Sequence, residues 1–152
     1  MLKDGEDDII TTEIRLPVNR KVKVKIVAMD VLHNFYLPNF DVKMDAVPGM
    51  PTQFVFTPIT TTVEMREILK DNPVWSQLDD DPDEPQPRYK SFNYEVACAE
   101  LCGRGHSSMQ ATLVIGTDEE YEAWLATQPL YYETVKETLL KEANAASAFN
   151  QN

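Results

Sequence analysis

The chain is poor in the two residue types that most often carry chemistry: its 152 residues include only two cysteines and two histidines. Two cysteines four positions apart cannot form the disulfide framework of a small secreted fold. Long apolar runs are missing as well. No stretch reaches the roughly 18 to 20 apolar residues that a membrane-spanning helix needs, and the opening Met1-Leu2-Lys3-Asp4-Gly5-Glu6-Asp7-Asp8 lacks the basic and apolar regions of a signal peptide. The chain as given is therefore expected to be soluble. Positive charge is scarce, with 14 Lys and Arg against 25 Asp and Glu and a net charge of −11. Such a surface repels nucleic-acid phosphates and anionic membranes and suits a cationic protein partner. Glycine is low at five while proline reaches ten, which favours short elements joined by defined turns. The length is that of one domain with its own core.

What is present divides into short alternating runs. Lys21-Val22-Lys23-Val24-Lys25-Ile26 switches between charge and hydrocarbon with period two, the pattern of a half-buried strand. Thr12, Ile14 and Leu16 repeat it more weakly before Pro17, which does not belong inside a central strand. Phe54 and Phe56 share a face after the Pro48-Gly49-Met50-Pro51 turn. Phe92, Tyr94, Val96 and Cys98 share one on the approach to the cysteines, and Ala111, Leu113 and Ile115 share one beyond them. The pattern predicts a mainly β fold, an antiparallel sandwich or barrel.

Helices are predicted at the periphery. Thr61 and Glu64 form a capping box ahead of an apolar stripe at Met65, Ile68 and Leu69, and Thr117 and Glu120 form another ahead of Tyr121, Trp124 and Leu125. A further amphipathic helix is expected over 131–143, with a frayed tail from Ala145. Two regions result: 1–128, interrupted by an acidic, proline-rich insertion over 71–90, and a C-terminal helical extension with its tail over 129–152. The insertion reads as an exposed loop; a second reading makes it a negative face that steers a basic partner.

The chemistry sits between two strands. Cys98, Cys102, His106 and Met109 place thiolate, imidazole and thioether in one loop. That mixture suits copper, because soft sulfur donors hold Cu(I) and imidazole serves both oxidation states, whereas zinc rarely uses methionine. A mononuclear blue-copper site needs one cysteine, so the second is surplus to it. The remaining histidine, His33, ends the segment after the clearest strand. Taken singly, these residues have plainer readings: a surface histidine, a core methionine, a cysteine pair serving as redox dithiol.

Cys98-Ala99-Glu100-Leu101-Cys102-Gly103-x-x-His106-x-x-Met109, together with Asp30-Val31-x-His33-x-Phe35-x-x-Pro38 and Lys43-x-Asp45-Ala46-x-Pro48-Gly49, resembles the subunit II family of haem-copper terminal oxidases, the cytochrome c oxidases. The resemblance spans about residues 10 to 127. It implies a cupredoxin-like Greek-key fold and a binuclear Cu(A) centre of two copper ions. Cys98 and Cys102 would be the bridging thiolates, His33 and His106 would give one imidazole to each copper, and Met109 and the Glu100 carbonyl would complete the set. It also implies a magnesium ion shared with subunit I through the Glu100 side chain. The expected role is to take electrons from cytochrome c and pass them to haem in subunit I while the complex reduces oxygen to water, with no bond chemistry on this chain. The expected location is the periplasmic face of the membrane or the equivalent intermembrane side.

The family usually carries two membrane helices and a tryptophan-bearing aromatic strand ahead of this region. Neither is present here, which suggests a truncated or split subunit, with Trp75 and Trp124 as weak substitutes for that tryptophan. Two other readings stay open: a Cu(A) domain of another respiratory reductase, and a thiol or copper-delivery protein with a mononuclear site.

Overall fold

The computed structural model describes residues 5, 7–133, 135 and 136. It divides into two compact units, one being Thr12–Glu122 and the other combining the described parts of 1–11 and 123–152. Among the described residues, no helix is long and apolar enough to cross a membrane.

The larger unit holds seven strands: β1 Glu13–Pro17, β2 Val22–Ile26, β3 His33–Leu37, β4 Val42–Ala46, β5 Thr52–Phe56, β6 Tyr94–Cys98 and β7 Gln110–Gly116. Five form one sheet in the order β1-β7-β6-β3-β4, and β2 pairs with β5 in a separate two-stranded ribbon. The alternation over Lys21–Ile26 appears as expected. Lys23 and Lys25 face solvent while Val22 and Val24 turn inward opposite Phe56 and Phe54. Pairings are antiparallel except for β1, which runs parallel to β7 from Glu13 against Thr112 to Pro17 against Gly116. Pro17 thus ends an edge strand, where its missing N–H costs little.

Aromatic side chains fill the space between sheet and ribbon. Phe35 of β3 lies 5.8 Å from Phe54 of β5, and Phe40 meets both Phe56 and Tyr94. Leu37, Leu113 and Ile115 are almost fully buried beneath them. Trp75 stands edge-on to Phe92 at 5.3 Å and joins this core.

Helix α1, Thr62–Leu69, begins with the predicted capping box: Thr61 Oγ1 accepts from the Glu64 N–H, and the Glu64 carboxylate accepts from the Thr61 N–H. Its buried face is rotated from the one expected. Met65 and Leu69 pack on the core, but Ile68 is 61% exposed, and Thr62 is buried instead. The cause is a hydrogen bond from the Ile115 N–H to Thr62 Oγ1, 2.9 Å, which docks the first helical turn on β7. Arg66 ties the helix to the lead-in of β6 through the Phe92 carbonyl and Asn93 Oδ1.

The acidic insertion is exposed, as expected, but it is also self-bonded. Asp79 N–H donates to the Gln86 carbonyl, Arg88 N–H donates to the Gln77 carbonyl, and the Asp81 carboxylate accepts from the Asp83 and Glu84 N–H groups. These bonds make a short closed hairpin.

Helix α2, Asp118–Leu125, starts at the second predicted capping box, formed between Thr117 and Glu120. In the smaller unit the Tyr131 N–H donates to the Asp8 carbonyl, and residues 131–133 are helical. Most of the helix expected over 131–143, and the tail after it, lie outside the described residues.

Because Leu113 is buried on all sides and Ile68 is not, Leu113→Ala should cost about 2–5 kcal/mol in denaturant unfolding, while Ile68→Ala should stay within about 0.5 kcal/mol. Equal losses would contradict the rotated helix face.

Candidate metal centre

The site is built by strand register. β3 and β6 pair antiparallel with Phe35 opposite Cys98 and Tyr36 opposite Ala97, so His33, Phe35 and Cys98 look toward the same face of the sheet. The Ala99 N–H then donates to the Asn34 carbonyl at 3.3 Å, carrying the pairing into the loop. Two residues 65 positions apart in sequence meet in this way, with Cys98 Sγ 4.0 Å from His33 Nδ1.

The loop from Cys98 to Met109 is closed at its base by a 3.0 Å bond from the Cys98 N–H to the Met109 carbonyl. Successive tight turns fold it: His106 N–H donates to Gly103, Ser108 N–H to Gly105 and Met109 N–H to His106. Gly103 has φ of +135°, a conformation that side-chain-bearing residues rarely adopt. Cys102 Sγ consequently lies 3.8 Å from Cys98 Sγ, 3.7 Å from His106 Nδ1 and 3.2 Å from Met109 Sδ.

The five side chains singled out for copper are therefore connected, His33 to Cys98, Cys98 to Cys102, and Cys102 to both His106 and Met109. His33, Cys98 and Cys102 in addition keep their ligand atoms within 4.8 Å of one another. Glu100 enters by its backbone, its carbonyl accepting from the Cys98 thiol at 3.2 Å. Its side chain belongs to an exposed residue.

These distances fit a soft metal ion. An ion binds thiolate at about 2.3 Å and imidazole at about 2.0 Å, so gaps of 3.7 to 4.0 Å between sulfur and nitrogen, and of 3.8 Å between sulfurs, can each be spanned by one ion. The sulfurs are free thiols. Thioether beside thiolate and imidazole selects copper over zinc.

Asp30 fixes the first histidine. Its carboxylate lies 2.8 Å from His33 Nε2, which places the ring proton there and leaves Nδ1 facing the sulfur as a lone-pair donor. The Asp30 bond, and then Cys98, raise the His33 pKa.

Burial is the largest single influence on Cys98 and would raise it. Together, the backbone at Asn34 and Glu100 and the imidazoles of His33 and His106 outweigh burial and bring the thiol down to about 6. Cys102 moves the other way, raised by burial and then by its neighbour Cys98.

Asn34, next to His33 on β3, is a polar residue that its place in the sequence would put at the surface. It is in fact buried, with Nδ2 donating to Asp45 Oδ1 at 2.6 Å and Oδ1 left without a partner among the described residues. Asn34 and Asp45 are a cross-strand pair in the β3–β4 register, a signal invisible until the register is known. Ser108 shapes the loop through its bond to the Gly105 carbonyl. Trp75 serves as packing.

Fold and site together define a small β-sandwich domain that presents thiolate, imidazole and thioether donors at one end of its larger sheet. Residues 2–65 match the family model for the periplasmic domain of cytochrome c oxidase subunit II. The chain is 33% identical over 129 residues to the alternative cytochrome c oxidase subunit 2 of Bradyrhizobium diazoefficiens, a match covering 84% of this chain and 36% of that protein. It is 30% identical over 132 residues to cytochrome c oxidase subunit 2 of Thermostichus vulcanus, covering 82% of this chain and 31% of that one. The crystal structure of the periplasmic domain of cytochrome oxidase subunit II from Bradyrhizobium japonicum superposes with a TM-score of 0.53 at 27% identity, covering 76% of this chain and 62% of that chain. The chain belongs to the cytochrome c oxidase subunit II family, as a cupredoxin-like periplasmic-type domain. It spans about a third of the length of these curated relatives.

The opposite pKa directions predict a pH profile for the metal-free protein. Thiolate is the nucleophile, so Cys98 alkylation by iodoacetamide should rise with pH through a midpoint near 6, where Cys98 titrates, with Cys102 reacting only in alkaline solution. Peptide mapping assigns the two; parallel profiles for both cysteines would contradict the geometry.

Proposed function

We propose that this domain is the electron-accepting module of a haem-copper oxidase and holds a binuclear Cu(A)-type centre. The observation that supports it most is the connected set of ligand atoms, in which His33 lies within 4.0 Å of Cys98, Cys98 of Cys102, and Cys102 of both His106 and Met109. Cys98 and Cys102 would hold the copper through their thiolates, His33 and His106 through their imidazoles, Met109 through its thioether and Glu100 through its carbonyl, a donor set suited to one-electron chemistry. A Cu(A)-type pair, when bound, shares one electron between two ions held by the same thiolates.

The protein's own part is to keep the donors still. The base bond of the loop, the turns at Gly103 and Gly105, and the Asp30 clamp on His33 hold all five donors before metal arrives. A donor set that moves little between redox states gives fast electron transfer. Electrons come from a cytochrome c and leave to haem in subunit I, which reduces oxygen to water. The Glu100 carboxylate, exposed on the loop, contributes to a magnesium site completed by subunit I. The domain works on the periplasmic face of the membrane or its equivalent.

The alternative of a copper-delivery protein with a mononuclear site makes a different count. Anaerobic loading followed by gel filtration and metal analysis should return two copper ions per chain, and Cys102→Ser should lose the second. One copper per chain in the wild-type protein, with both thiols reduced, would overturn the binuclear reading.

A further inference from the structure

Met29 is 95% exposed, the most exposed of the large apolar side chains among the described residues. Its backbone is nevertheless held on both sides. Ala28 before it is buried and bridges to Pro48, and Asp30 after it is bonded to His33 Nε2. The alternation inherited from β2 turns Ala28 inward and Met29 outward. Met29 is thus a flexible thioether on a fixed stalk one residue from the carboxylate that clamps His33.

Met29 also lines a cavity of about 460 Å3 whose other walls include His33, Cys98 and Met109. Between these the lining is mainly hydrocarbon, from Ile26, Phe35, Ala46, Val96 and Ala111. Met29 therefore stands at the exposed rim of an apolar space that His33, Cys98 and Met109 also line. Hydrated, oxygen-seeking cations gain nothing from such walls, whereas Cu(I) binds soft sulfur and gives up water readily. Methionine carries no proton to displace, so it can take and release Cu(I) without waiting on a titration.

We infer that Met29 is the first-contact ligand for Cu(I), taking the ion at the rim of the cavity and handing it to the Cys98, His33 and Met109 side. The inference rests on the copper reading above and adds a residue that takes no part in the finished centre. Each step is a ligand exchange. A Cu(I) complex of a small neutral ligand such as acetonitrile loses one such ligand as the bond to Met29 Sδ forms. The bond to Cys98 Sγ then forms as the Met29 bond breaks, with any proton still on that sulfur leaving to solvent. The ion stays Cu(I) throughout, and no electron is moved.

The test is the rate of loading. Reduced protein is mixed anaerobically with Cu(I)–acetonitrile in a stopped-flow instrument, following the ultraviolet absorbance of copper–thiolate bonds, for wild type, Met29→Leu and Met29→Ala. Met29→Leu preserves an apolar side chain of similar size and removes only the sulfur. Both variants should load more slowly by on the order of tenfold and reach the wild-type copper content and final spectrum. Met29→Leu loading at the wild-type rate overturns the inference and assigns Met29 to plain apolar contact. A lower final copper content in the variants overturns it too, because Met29 would then be a permanent ligand. Wild type taking up no copper would sink this inference and the proposed function together. Wild type stopping at one copper per chain removes only the binuclear reading, and the rate comparison still decides the role of Met29.

Discussion

The pairing of β3 with β6 is the constraint on which the site depends. Phe35 opposite Cys98 and Tyr36 opposite Ala97 fix the register, and a slip of one residue would turn Cys98 to the other face of the sheet, away from His33. The core enforces that register from the other side. Phe35 packs on Phe54 and Leu37 is almost fully buried, while on β6 Tyr94 fills the centre of the same core. Phe35 belongs to both hydrophobic clusters. The energy that holds the sandwich together therefore also holds His33 and the Cys98 loop in contact, and the candidate site is carried at the end of the core.

Preorganisation follows from the loop. The eleven residues between β6 and β7 have their base tied from the Cys98 N–H to the Met109 carbonyl, so both ends of the loop are anchored on paired strands. Interior turns bring Cys102 back toward Cys98 and His106 toward Cys102. The electrostatics agree with this construction. Proximity to two imidazoles helps draw Cys98 toward its thiolate, the form a metal ion requires, and the Asp30 carboxylate keeps the His33 proton on the nitrogen that does not face sulfur.

Much of this was legible from the residues because it is local. Period-two alternation in Lys21–Ile26 located β2, the Thr61/Glu64 and Thr117/Glu120 boxes located two helix starts, and the spacing of Cys98, Cys102, His106 and Met109 marked the loop whose side chains the fold brings together. What was not legible depends on partners far away in sequence. The parallel union of β1 with β7 joins the two ends of the larger unit and leaves no periodic trace. Thr62 is polar and reads as surface until Ile115 offers it an N–H, and that bond is what exposes Ile68. Asn34 looks like a spacer until β4 sets Asp45 opposite it. The acidic insertion reads as plain solvated chain, yet its own carboxylates and backbone close it into a hairpin.

The central claim is that Cys98 and Cys102 join two copper ions into one electronic unit. Electron paramagnetic resonance of the copper-loaded, half-reduced domain addresses it directly, because the unpaired electron reports how many nuclei it visits. The account predicts a hyperfine pattern from two equivalent copper nuclei. A pattern from a single copper nucleus would contradict it.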